Sequence, residues 1–162
     1  KLYEELTERR GFAKRMVLLG RSRGGLWNAA WAVENTDKIA GFAGIYPVFD
    51  LRSYPKLEGA APAYKLTAEQ LAQQLDQHNP IAKVSRLAKA KIPVYLIHGD
   101  QDVVVPLEAN SGAFQKIYAD AGVPDLVTLN VAPGQGHNYW EGFFRCQPLI
   151  DFAIERARAG AK

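Results

Sequence analysis

Apolar residues along this chain gather in short runs, separated by longer stretches in which they recur every three or four positions. Four runs read as strands: Met16–Leu19, Ile39–Tyr46, Val94–His98 and Leu126–Val131. Each is rich in β-branched, aromatic or leucine residues and is followed by glycine or proline. The periodic stretches predict helices over Leu2–Arg10, Gly24–Glu34, Ala68–Gln77, Ile81–Ala90, Leu107–Ala121 and Trp140–Ala159. The third has a start signal, because Thr67 and Gln70, three residues on, have the spacing of a capping box. Strand alternating with helix predicts an α/β fold, a mainly parallel sheet of about four strands flanked by helices and ordered sequentially by right-handed crossovers.

Parallel sheets are normally covered on both faces and flanked by neighbours, and nothing before Met16 is long enough to supply another strand. The first strand is therefore expected at a bare edge, covered by N-terminal sequence outside these residues or by a second chain. No repeat is visible.

Composition narrows the class. The 162 residues are 48% hydrophobic and 23% charged, which describes one globular domain, residues 1–162, with a sizeable core. Charged side chains interrupt every apolar run before the roughly 18 residues a membrane helix needs, so no membrane partner is expected. The net charge of +3 is mild, and the basic groups "RRGFAKR" and "KVSRLAKAK" read as solvated helix faces or turns. No nucleic-acid partner is expected. Cys146 is the only cysteine and the three histidines are far apart in sequence, so no disulfide within the chain, no metal and no cofactor is expected. The chain starts at Lys1 without an apolar signal segment and is read as a mature form, a processed product or a fragment, which leaves its compartment unassigned.

The chemistry concentrates after three of the strands. Gly20-Arg21-Ser22-Arg23-Gly24 stands between the first strand and a helix, where a serine on a sharp turn needs small residues two before and two after it. A serine hydroxyl is a poor nucleophile unless a base lies within hydrogen-bond reach and a carboxylate orients that base. Asp100 and Asp102 follow the third strand, and His137 follows the fourth. Each therefore stands at the C-terminal end of a parallel strand, where open α/β sheets place their ligands. On spacing alone either aspartate fits. Other readings are open: Ser22 as a helix N-cap, Asp102 as a turn residue, His137 as a loop cap. His98 reads as a hydrogen-bonded strand-end residue and His78 as part of a surface turn. Trp27 and Trp31, four apart on one helix, read as core packing rather than a binding platform, and Arg21 and Arg23 as pointing to solvent or to a nearby acid, with attraction of an anionic substrate as the other reading.

With G-x-S-x-G at Gly20–Gly24, H-G-D-x-D-x-x-V-P at His98–Pro106 and G-x-G-H at Gly134–His137, the chain resembles the α/β-hydrolase superfamily from about Gly11 to Ala157. The resemblance implies a Ser-Asp-His triad, with Ser22 as nucleophile, His137 as general base and acid, and Asp102 as orienting carboxylate. Asp100 is then a loop-stabilising residue. It also implies an oxyanion donor at the backbone N–H of Arg23, with the family's second donor in a loop outside these residues. The chain is thus expected to be the C-terminal portion of such a hydrolase, half its fold. The segment 49–83 stands where the family commonly inserts a lid, with Tyr54, Leu57, Tyr64 and Leu66 as pocket-lining candidates. The implied function is a serine hydrolase acting on a small-molecule carboxylic ester. A prolyl-oligopeptidase-like peptidase and a non-catalytic fragment acting through binding or assembly are the alternatives. Activity is expected to fall as acid protonates His137.

Overall fold

In a computed structural model that describes residues 1–161, four strands form one parallel sheet in the order β1 (Met16–Arg21), β2 (Ile39–Ile45), β3 (Val94–Gly99), β4 (Val127–Ala132). The sequential order and the strand positions match those expected from the apolar runs. Ile45 pairs with Arg21 on one side and Ile97 on the other, so the C-terminal strand ends share one rim.

Nine helices among the described residues flank this sheet: α1 (Leu2–Glu4), α2 (Gly24–Ala32), α3 (Lys56–Tyr64), α4 (Ala68–Gln73), α5 (Leu75–His78), α6 (Ser85–Lys89), α7 (Ala113–Asp120), α8 (Glu141–Phe144) and α9 (Gln147–Gly160). Alternate strand residues point to opposite faces. Phe42, Val94 and Leu96 therefore meet Ala29 and Ala32 of α2, Leu87 of α6, and Phe114 and Tyr118 of α7. Ala43, Ile45, Tyr95 and Ile97 face the other way, against Phe143 of α8 and Leu149 of α9. Every residue of β2 and β3 is buried, whereas β1 leaves Leu19 54% exposed at the free edge. No helix among the described residues is long and apolar enough to cross a membrane.

The helices differ from their expected forms for local reasons. The stretch Leu2–Arg10 winds as α1 and then loosens into a π-helical turn, Glu5–Arg9. Pro80–Lys83 is a 3-10 turn before α6, and Glu108–Gly112 a π-helical turn before α7. The helix expected over Trp140–Ala159 breaks at Cys146, whose backbone is extended, because Pro148 is accommodated only in a first turn. The Thr67 box forms, with Gln70 N–H donating to Thr67 Oγ1 at 3.2 Å and Thr67 N–H to Gln70 Oε1 at 2.9 Å. Helix α3 was not expected, since Gly59 and Pro62 interrupt its apolar pattern. Between β2 and β3, helices α3 and α4 pack over Leu26, Val48, Leu51 and Val105.

Candidate active site

The turn after β1 is shaped by what cannot fit there. A Cβ on Gly20 would stand 2.9 Å from the Gly25 nitrogen, and one on Gly25 would stand 2.7 Å from Pro47 Cβ and Val48 O. Strand and helix thus touch backbone to backbone. A Cβ on Gly24 would meet nothing, so the close approach attributed to Gly24 belongs to Gly25. Between them Ser22 holds φ +49°, a left-handed conformation that costs an ordinary residue about 1–3 kcal/mol. Three backbone bonds fix it: Ser22 N–H donates to Ile45 O at 3.1 Å, and Ser22 O accepts from Gly25 and Val48, each at 2.9 Å. Arg23, not Ser22, is the N-cap residue of α2. The Ser22 hydroxyl instead lies 2.9 Å from His137 Nε2.

His137 reaches that hydroxyl because its loop rests on the end of β3. A Cβ on Gly99 would stand 2.1 Å from Gln135 O, an impossible contact. Gln101 N–H donates to Gln135 O at 2.9 Å, and Asp100 Oδ1 accepts from Gly134 N–H at 2.7 Å. Asp100 therefore ties the two loops together. Asp102 is the carboxylate that meets the imidazole, with His137 Nδ1 2.8 Å from its Oδ2. Its Oδ1 accepts the N–H groups of Val104 at 3.0 Å and Val105 at 2.8 Å. A carboxylate only accepts, so Nδ1 of His137 carries the proton and Nε2 is left to accept from Ser22.

His98 lies behind Asp102, fully buried. Its Nε2 is 2.8 Å from Val105 O, which can only accept, so this nitrogen carries hydrogen and also points within 3.3 Å of Asp102 Oδ2. Its Nδ1 lies 2.8 Å from Ser111 Oγ. Burial holds the His98 pKa below the usual histidine range, outweighing the opposing pull of Val105 O and Asp102. The imidazole stays neutral, and Nδ1 accepts from the Ser111 hydroxyl.

Tyr46, read from sequence only as the last residue of a strand, supports His137 with ring centroids 4.4 Å apart. Its own edge is held by Phe143 at 4.9 Å. Burial pushes its phenol above the ordinary range, against the opposing charge of Arg21. No sequence pattern separated it from its apolar neighbours.

Above these groups opens a cleft of about 390 Å³, lined by Arg21, Ser22, Arg23, Trp27, Tyr46, Tyr54, His137 and Tyr139 among others. Trp27 is 72% exposed on its wall, which corrects the expectation that it packs in the core. Trp31 alone of that pair packs inward, near Tyr3. Of the four residues expected to line a pocket from the segment 49–83, Tyr54 lines this cleft, while Leu57, Tyr64 and Leu66 pack against the cluster under α3 and α4. Arg21 points to no acid, its guanidinium lying 5.2 Å from the centroid of Tyr139 and 5.9 Å from that of Phe144. The Arg23 N–H makes no backbone hydrogen bond among the described residues. No cluster of three or more His, Cys, Asp or Glu side chains suited to a metal ion occurs among them.

Residues 2–147 match the model of the prolyl oligopeptidase family. Among curated proteins none matches the chain in sequence. Among solved structures, a puromycin-hydrolyzing peptidase of Mycobacterium tuberculosis is similar, with TM-score 0.69 and 20% identity over 97% of this chain and 24% of its own. A prolyl endopeptidase aligns with TM-score 0.72 and 18% identity, over 97% of this chain and 24% of that one. A monoacylglycerol lipase of Paleococcus ferrophilus aligns with TM-score 0.64 and 18% identity, over 96% of this chain and 73% of its own. These likenesses show an α/β-hydrolase fold, of which the chain spans part: about a quarter of the peptidases' length.

Proposed function

This chain belongs to the prolyl oligopeptidase family, and we propose that it is a serine hydrolase; its substrate is taken to be a carboxylic ester, cleaved through an acyl-enzyme. Ser22 is the nucleophile, His137 the general base and acid, and Asp102 the carboxylate that orients His137. The observation that carries this reading is the unbroken line from Ser22 Oγ to His137 Nε2 at 2.9 Å and from His137 Nδ1 to Asp102 Oδ2 at 2.8 Å.

In this reading Ser22 Oγ attacks the ester carbonyl while its proton passes to His137 Nε2. The imidazolium that forms is stabilised by Asp102, whose other oxygen is already held by two backbone N–H groups. Charge developing on the carbonyl oxygen is met by the Arg23 N–H, a contribution of about 3 kcal/mol for one such donor. His137 then gives the proton to the departing alcohol, and water repeats the sequence on the acyl group. The free edge of β1, with its exposed Leu19, is where further sequence or a second chain extends the sheet.

Peptide cleavage is the second reading, favoured by the family to which residues 2–147 match. The same three residues serve it, but an amine leaves less readily than an alcohol and asks more of the oxyanion donors.

A fluorophosphonate probe tests the nucleophile. Labelling that maps to Ser22 and disappears in Ser22→Ala is expected, and a folded protein that resists the probe contradicts the proposal. Turnover of an unactivated alkyl ester and of a proline-containing peptide separates ester from peptide: ester cleavage without peptide cleavage is expected, and measurable peptide cleavage favours the second reading.

A further inference from the structure

The cleft carries charge that the three residues at its floor do not use. Arg21 and Arg23 both line it, while none of its lining residues is aspartate or glutamate. Some cations elsewhere on the surface meet an acid, as Lys83 and Arg86 meet Glu34, Arg52 meets Asp50 and Arg145 meets Glu141, and others such as Lys56, Lys65 and Arg158 form no ion pair among the described residues; what sets Arg21 and Arg23 apart is that they stand together over Ser22. Among the described residues neither Arg21 nor Arg23 forms such a pair. At the floor Asp102 has a fully buried side chain with both oxygens engaged, and Asp100 accepts from Gly134 N–H. They leave the two cations unanswered.

Arg21 is also set against aromatic rings. Its guanidinium lies over Tyr139 and within 5.9 Å of the Phe144 ring centroid, which limits the rotamer freedom that an exposed arginine usually gives up on binding. A planar guanidinium so held presents paired N–H donors, the geometry that fits a carboxylate.

We propose that this cleft selects substrates bearing a carboxylate near the scissile carbonyl, with Arg21 as the specificity residue and Arg23 adding to the same field. Tyr46, Tyr54 and Trp27 supply apolar walls for the rest of the molecule. The proposal rests on the reading of Ser22 as nucleophile for its position in the reaction, but the anion selectivity is measurable without any turnover. Both guanidinium groups are solvent-accessible, so each contact is worth up to about fivefold in affinity and the pair about tenfold.

The test uses Ser22→Ala, in which binding is separated from chemistry. Monomethyl succinate and methyl butyrate, alike in size but differing in charge, are titrated and followed by ligand-observed NMR. The anionic ester is expected to bind about tenfold more tightly at low salt, and the preference should shrink as salt screens it. Adding Arg21→Gln is expected to bring the ratio below about threefold, and Arg21→Lys to restore part of it. Equal binding of the two esters, or a ratio indifferent to both salt and Arg21, overturns the proposal. Charge-selective binding in a protein that forms no acyl-enzyme upholds it and overturns the hydrolase reading instead.

Discussion

The floor and the mouth of the cleft are built on opposite terms. At the floor Ser22, His137, Asp102 and His98 are held by short hydrogen bonds and by glycines that admit no side chain. At the mouth Arg21, Trp27 and Tyr139 are exposed, with the Arg21 guanidinium set over the Tyr139 ring. A floor of this kind fixes geometry, because each polar group has one arrangement that satisfies its neighbours. A mouth of this kind tolerates substitution and leaves charge available to a ligand. Changes at the floor should therefore act on rate and folding, and changes at the mouth on selectivity.

The largest effect is expected from Ser22→Ala, which should lower kcat by ~10⁴ to 10⁶ with little change in thermal stability. Gly99→Ala comes next. Its Cβ would invade Gln135 O, displace the loop carrying His137, cost about 3 kcal/mol in denaturant unfolding and lower kcat at least ~100-fold. A Gly99→Ala protein with normal stability and rate would show that the floor is less constrained than its contacts imply.

His98→Gln is expected to lower stability by about 1–3 kcal/mol, since Val105 O and Ser111 Oγ lose a matched partner. It should also change the dependence on pH. The folded protein holds His98 neutral, with Asp102 and His137 as the ionisable groups facing it. The unfolded chain protonates the same residue below about pH 6.5. Stability attributable to His98 is thus constant above that pH and falls as the solution is acidified towards the depressed folded pKa. Unfolding curves collected from pH 8 to 5 should be steeper in acid for the parent than for His98→Gln, and parallel curves would refute a neutral buried imidazole.

The smallest effects belong to positions that look alike in sequence. Gly24→Ala should be neutral or stabilise by up to about 1 kcal/mol, whereas Gly25→Ala disrupts the turn. Trp27→Ala should stay within about 0.5 kcal/mol of the parent, against about 3–5 kcal/mol for Phe42→Ala in the core.

This division also explains what could be read from sequence. The strands were legible because β2 and β3 are buried on both faces and so appear as unbroken apolar runs. Ser22, Asp102 and His137 were legible because each stands at the same rim, just beyond a strand, beside glycines that the turns require. The structure brings those three, and not Asp100, into one hydrogen-bonded line. The mouth was not legible. Whether Trp27 faces a core or a cleft depends on where α2 crosses the sheet edge, which a helical period cannot report. Tyr46 and His98 support the site through contacts between separate segments, visible only once β2, β3 and the loop after β4 are assembled. Helix α3 was hidden by its own Gly59 and Pro62.

The central claim, that Ser22 is made nucleophilic by His137 held on Asp102, is tested most directly by trapping the acyl-enzyme. The protein is mixed briefly with p-nitrophenyl acetate, quenched in acid and digested, and its peptides are weighed. One acetyl group on the peptide containing Ser22 is predicted, present in the parent and absent from Ser22→Ala and His137→Ala. Acetylation spread over surface lysines, with Ser22 unmodified in a folded protein that turns the ester over, would contradict it.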